Sequence, residues 1–312
     1  MCLNRKHMKN GSIKTILLSL LAMALWGSLF PMIKIGYKAF NIDTTSIPEI
    51  MMFAALRFVI SGIIVCIIAL AKKARLESPK PKSVGGIMLV GLFAIVLHYI
   101  CTYIGLSTTD SSKTALMKQL GVLFYVCFAF LFFKDERFSI VKIVGVLIGF
   151  AGIIAINYSS GGISFSVGDI LIISASVCTV ISSVLSKKSV EGNSPYWITG
   201  ISQLSGGIVM LVIAIALGGK LLMFTPFATL IFTYICTASI AAYTIWYYVQ
   251  KSENLSNLFI IKFAEPLFAC VFGAILLGEN ILKIQYLAAF ILICAGITIG
   301  NIKVKERNPH ES

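Results

Sequence analysis

The sequence predicts an all-α integral membrane protein, with ten transmembrane helices arranged as two inverted five-helix repeats. Three observations carry this. Of 312 residues, 58% are hydrophobic and only 12% are charged, against about 25% charged in ordinary globular domains. Apolar runs recur along the chain, each near the roughly 20 residues that cross a hydrocarbon core of about 30 Å. Finally, the second half of the chain echoes the first.

The expected spans lie near 14–36, 47–71, 84–105, 111–133 and 138–157, then 168–187, 195–217, 226–249, 255–277 and 284–302. Arg57 interrupts the second. Turn and breaker residues separate the runs, among them Pro79, Pro81, Gly192-Asn193-Ser194-Pro195 and Gly218-Gly219. The first apolar run is too long for a secretory leader and is expected to remain as a helix. Eight cysteines sit mostly inside apolar runs without CxxC spacing, which favours small packing residues over disulfides or metal ligands.

The formal charge of +13 does not point to nucleic acid, because the basic residues fall in short clusters between apolar runs. Such clusters set membrane orientation. One set of alternate loops and tails holds 18 Lys and Arg residues and the opposite set holds five, Lys34, Lys38, Lys113, Lys220 and Lys283. The positive-inside rule then places both termini in the cytoplasm, with tails 1–13 and 303–312.

A shift of 144 residues aligns 98–157 with 242–301 without a gap. It matches Tyr99 with Tyr243, Tyr103 with Tyr247, Lys118 with Lys262, and Ala151-Gly152-Ile153 with Ala295-Gly296-Ile297. The repeats are expected at 14–157 and 168–302. Five spans each, an odd number, make them enter the membrane in opposite directions. Inverted repeats are the architecture of alternating-access transporters, which bind substrate near the midplane between the halves.

Several short motifs, in order, resemble the EamA-type branch of the drug/metabolite transporter superfamily. They are Leu25-Trp26-Gly27-Ser28, Leu56-Arg57-Phe58, Phe133-Lys134-Asp135-Glu136-Arg137 with Gly145 and Ala151-Gly152-Ile153, and Glu265-Pro266-Leu267-Phe268 with Leu277-Gly278-Glu279 and Ala295-Gly296-Ile297. The resemblance implies a multi-pass carrier of small metabolites in the cytoplasmic membrane, often an exporter. Val122 stands where the family commonly has a proline, as in Pro266. Lys118 and Lys262 lie outside the family pattern, so the resemblance says nothing of their role.

Those lysines sit seven residues into the fourth and ninth spans, about 10 Å below opposite surfaces at 1.5 Å per residue. A lysine at the bilayer centre costs about 2.5–3.5 kcal/mol even on lenient scales, so it usually faces a cavity or a partner. Glu265, three residues after Lys262, shares its helical face and is its expected partner; the matching residue beside Lys118 is Gly121. With Arg57, the spans carry three positive charges and one negative, which a carboxylate or phosphate on a substrate would balance. Arg57 has a structural alternative, capping backbone carbonyls. Tyr99, Tyr103, Tyr243 and Tyr247, at i, i+4 spacing, serve either as interface anchors or as cavity lining with Trp246. His98 and Glu265 are candidates for carrying protons.

No phosphate loop, metal motif or catalytic set is visible, so neither a cofactor nor an enzyme is expected. The expected partners are a small-molecule substrate and the lipid bilayer. Two complete halves fit a monomer or a homodimer. The reading is therefore a secondary carrier, an exporter by resemblance, of a small anionic or zwitterionic metabolite such as an amino acid. Its rivals are efflux of cationic or lipophilic compounds through Glu265, and a membrane enzyme or receptor.

Overall fold

A computed structural model describes residues 3–72, 79–121, 124–125, 140–159, 162–163, 166–252, 255–262, 264–280 and 284–300. The Phe133–Arg137 motif, Val122, Lys283 and the expected tail 303–312 lie outside them.

Among the described residues the regular structure is helical apart from a two-residue antiparallel pairing of Tyr158–Ser159 with Gly162–Ile163. Helix α1 runs Leu3–Ala39 and α2 Ile47–Ala71. α3 is Pro81–Gly91, continuing through a π-helical stretch, Leu92–Leu97, into α4, His98–Thr108. α5 is Ser111–Met117 and α6 is Ile140–Asn157. α7 is Val167–Val190, α8 Pro195–Ala216 and α9 Pro226–Ser252. α10 is Leu255–Ile261, α11 Ala264–Leu277 and α12 Ile284–Gly300.

Helix starts follow local chemistry. Prolines open α2, α3, α8 and α9, where their fixed φ suits the first turn and the missing N–H is one the helix leaves unpaired anyway. Ser166 and Asp169 form a reciprocal capping box at the start of α7.

Among the described residues six helices are long and apolar enough to cross a membrane: Ile13–Ala39, Ile47–Ala71, Pro81–Thr108, Val167–Val190, Pro195–Ala216 and Pro226–Ser252; shorter apolar helices accompany them. Large apolar side chains such as Leu17, Val212, Ile215, Leu230 and Ile275 stay exposed on their outer faces. That surface suits hydrocarbon rather than water. The protein is a multi-pass helical membrane protein.

Within the bundle α2 packs along α8, α6 along α12, α1 along α9 and α11, and α4 along α7. Close approach explains one repeated motif. A Cβ on Gly296 would lie 2.6 Å from the Gly149 nitrogen of α6, so the Ala-Gly-Ile motif of α12 is a small-residue contact that lets two backbones touch.

Candidate functional site

The site begins with two interrupted helices. α5 and α10 are both seven residues long and lie 144 residues apart, and each stops immediately before a lysine, Lys118 and Lys262. After each lysine the hydrogen bonding tightens in the same way. The Gly121 N–H donates to the Lys118 carbonyl (3.2 Å) and the Glu265 N–H donates to the Lys262 carbonyl (3.1 Å). In the second half Pro266 has no N–H to give that carbonyl. The first half carries Val122 in sequence, so proline is not a requirement for the interruption.

Both lysines line one cavity between α1, the π stretch and α4, α7, α9 and the two interrupted helices. Its walls enclose about 660 Å³, counting the part open to the surroundings. Gly27 brings α1 in: a Cβ there would lie 2.7 Å from the Phe268 Cβ and 2.9 Å from the Glu265 carbonyl oxygen. Trp26 is thereby pressed against the charged group.

The charge pairing differs from the i, i+3 expectation. Glu265 Oε1 lies 3.8 Å from Lys118 Nζ, across the cavity rather than along its own helix. Lys118 Nζ also sits 4.9 Å from the centre of the Phe30 ring. Lys262 has no hydrogen-bond acceptor among the described residues. Its ammonium is surrounded instead by the rings of Trp26, Trp246 and Phe259, at 5.6, 5.4 and 5.5 Å. Lys262 is 9% exposed and Glu265 3%. Cation–π contact at these distances stabilises a desolvated ammonium, but it leaves the N–H groups open to an anion. With Lys118 and Glu265 opposed, the charged group carries one net positive charge.

The tyrosines divide. The Tyr243 hydroxyl lies 3.3 Å from the Tyr99 hydroxyl and 3.4 Å from the Ala94 carbonyl, so two positions related by the 144-residue shift meet face to face. Tyr99, Tyr243, Tyr247 and Trp246 line the cavity; Tyr103 and Arg57 do not. Arg57 is fully buried behind the wall. It donates from Nε to Ser239 Oγ (2.8 Å) and from Nη1 to the Tyr103 hydroxyl, with its guanidinium over the rings of Phe58 and Tyr99. It ties α2 to α4 and α9 through side chains, not through the backbone carbonyls expected of a cap.

His98 opens α4 just after the π stretch, a register change that recurs at functional sites. Its Nδ1 lies 2.9 Å from the Ala175 carbonyl, which can only accept, so Nδ1 carries a proton; Nε2 faces the Thr102 hydroxyl at 3.4 Å. Opposite it, Thr179, Ser182, Ser183 and Ser186 put a hydroxyl stripe of α7 into the cavity. This stripe was missed from sequence, although its i, i+3, i+4, i+7 spacing is a legible signal. Trp26 and Phe30 were also missed. Among the described residues no three His, Cys, Asp or Glu side chains gather as metal ligands.

Where α1 ends, a second polar cluster joins the helices. Lys34 Nζ lies 3.9 Å from Glu279 Oε1, which also accepts the Ser111 N–H at 3.1 Å. Lys113 Nζ lies 2.9 Å from Asp169 Oδ1.

A helical membrane bundle around a charged, aromatic cavity has the features of a carrier. The comparisons agree. A model of the EamA-like transporter family matches residues 13–158 and again 166–301, and the chain belongs to that family. It is 24% identical over 307 residues to the uncharacterized transporter YdfC of Bacillus subtilis, covering 96% of this chain and 95% of the relative. It is 26% identical over 279 residues to the uncharacterized inner membrane transporter YedA of Escherichia coli K12, covering 88% and 87%. A solved structure described only as "Crystal structure of protein" superposes with a TM-score of 0.66 at 20% identity, covering 92% of this chain and 96% of that one. The protein is thus a membrane transporter of the EamA type, and its named relatives are transporters rather than enzymes.

Proposed function

We propose that the protein is a secondary carrier, working as an exporter, that moves a small anionic or zwitterionic metabolite by alternating access. It would have ten spans in two inverted repeats and both termini in the cytoplasm. The observation that carries the reading is the pair of interrupted helices that bring Lys118 and Lys262 to one cavity with the carboxylate of Glu265. Discontinuous helices at a repeat interface are where such carriers hold substrate. The two matched stretches of the family model and the equal spacing of α5 and α10 support the repeat. The ion pairs Lys34–Glu279 and Lys113–Asp169 link separate helices near the end of α1, and breakable contacts of this kind suit alternating access.

Lys118 and Lys262 attract the substrate's negative group, and His98 and Glu265 are placed to exchange protons with the cavity. Proteoliposome uptake of a panel of small carboxylates tests the reading. Lys118→Ala and Lys262→Ala are each expected to reduce transport severely. Unchanged uptake in both removes the lysine assignment, and cation uptake that needs Glu265 but neither lysine supports the rival efflux mechanism.

A further inference from the structure

We infer that the cargo is a monoanion: an organic acid with one carboxylate, no ammonium group and an apolar body. This narrows the anionic-or-zwitterionic reading above and rests on it. The balance of charge within the cavity points to it. Glu265 is already opposed to Lys118 at 3.8 Å, and among the described residues no other carboxylate lines the cavity. A substrate ammonium would therefore enter beside two lysines with no free anion to receive it. Its desolvation would go uncompensated unless it pulled Glu265 away and left Lys118 alone.

Lys262 presents the opposite case. It is nine-tenths buried, faces the cavity, and has three rings around it but no acceptor among the described residues. One carboxylate completes its hydrogen bonding and neutralises the net charge of the group. A second carboxylate overshoots to a net negative site, and the rest of the described wall offers hydroxyls and His98 rather than a further lysine or arginine. The rings of Trp26 and Trp246 at the lysine, with Tyr243 packed edge-on against Trp26, favour an apolar body next to the carboxylate. Ser183 and its neighbours on α7 can receive a neutral polar group at the far end.

Four compounds on one skeleton separate these terms: 3-phenylpropanoate, phenylalanine, which adds an ammonium, phenylsuccinate, which adds a carboxylate, and 3-phenylpropylamine, which reverses the sign. Binding is measured by calorimetry on the purified native protein in lipid nanodiscs. We expect 3-phenylpropanoate to bind about tenfold or more tightly than each of the others, since every other compound buries an uncompensated charge. Lys262→Met removes this binding, and Lys262→Arg, which keeps the charge, retains the order of preference. Phenylalanine or phenylsuccinate binding as tightly as 3-phenylpropanoate overturns the monoanion assignment and leaves the anionic-or-zwitterionic carrier intact. Binding of the amine alone overturns both. Absence of binding by all four overturns the monoanion assignment, while the carrier reading stands or falls on the uptake panel.

Discussion

Glu265→Gln tests the charge arrangement at its centre. The substitution keeps the shape of the side chain and removes the negative charge that faces Lys118 at 3.8 Å. At an effective dielectric of about 20, that separation corresponds to an attraction of about 4 kcal/mol. Glu265 is 4% exposed and Lys118 13% as side chains, so solvent screens the pair little. Part of the attraction offsets desolvation, but removing one partner strands the other, at a cost of about 3 kcal/mol. For a chain of this size each kcal/mol lowers a melting midpoint by roughly 2–4 °C, giving a loss of about 6 °C or more. The assay is thermal unfolding of the purified protein in detergent, read by tryptophan fluorescence. The double variant Lys118→Met with Glu265→Gln removes both charges and is expected to recover most of the loss. A single variant that melts like the native protein refutes the pairing. So does a double variant as unstable as the single one.

Three further outcomes follow from the same geometry. Arg57→Ala is expected to destabilise the fold by about 3 kcal/mol, because it strips charged hydrogen bonds from Ser239 and Tyr103 in a fully buried site; a melting curve checks it. Gly27→Val has no room for its side chain against Phe268 and Glu265, so α1 must shift away from α11, at a cost of about 1–3 kcal/mol; the expected readout is a lower melting midpoint together with altered Trp26 fluorescence. Lys34→Ala combined with Asp169→Asn removes both ion pairs near the end of α1. It is expected to speed modification of a cysteine placed at Ile33, in a background without native cysteines, by an impermeant maleimide added from that side.

Much of this was legible in the sequence because membrane insertion penalises charge so strongly. Lys118, Lys262 and Glu265 stand out inside apolar runs, and all three line the cavity. The 144-residue shift matches Lys118 with Lys262 and Tyr99 with Tyr243, but the breaks that end α5 and α10 and the contact between the two tyrosines go beyond what it predicts. What was hidden depends on contacts between distant segments. Helical periodicity favours Glu265 with Lys262, three residues away, and has no means of weighing Lys118 on another helix. Arg57 and Tyr103 read as cavity residues because burial behind a wall and exposure on it look alike in an apolar run. The π stretch, which sets the register at which His98 and Tyr99 meet the cavity, has no distinctive residue in Leu92–Leu97. Trp26 was quoted only as part of a family motif; its contact with Lys262 arises where Gly27 lets α1 reach α11.

Counterflow in proteoliposomes tests the central claim most directly. Vesicles are preloaded with an unlabelled small carboxylate and exposed to a trace of the same compound in labelled form. A carrier with a lysine-lined cavity predicts a saturable, transient accumulation of label above equilibrium in the native protein, and its loss in Lys262→Ala. Accumulation that is equal in the two proteins, or that appears only with organic cations, contradicts it.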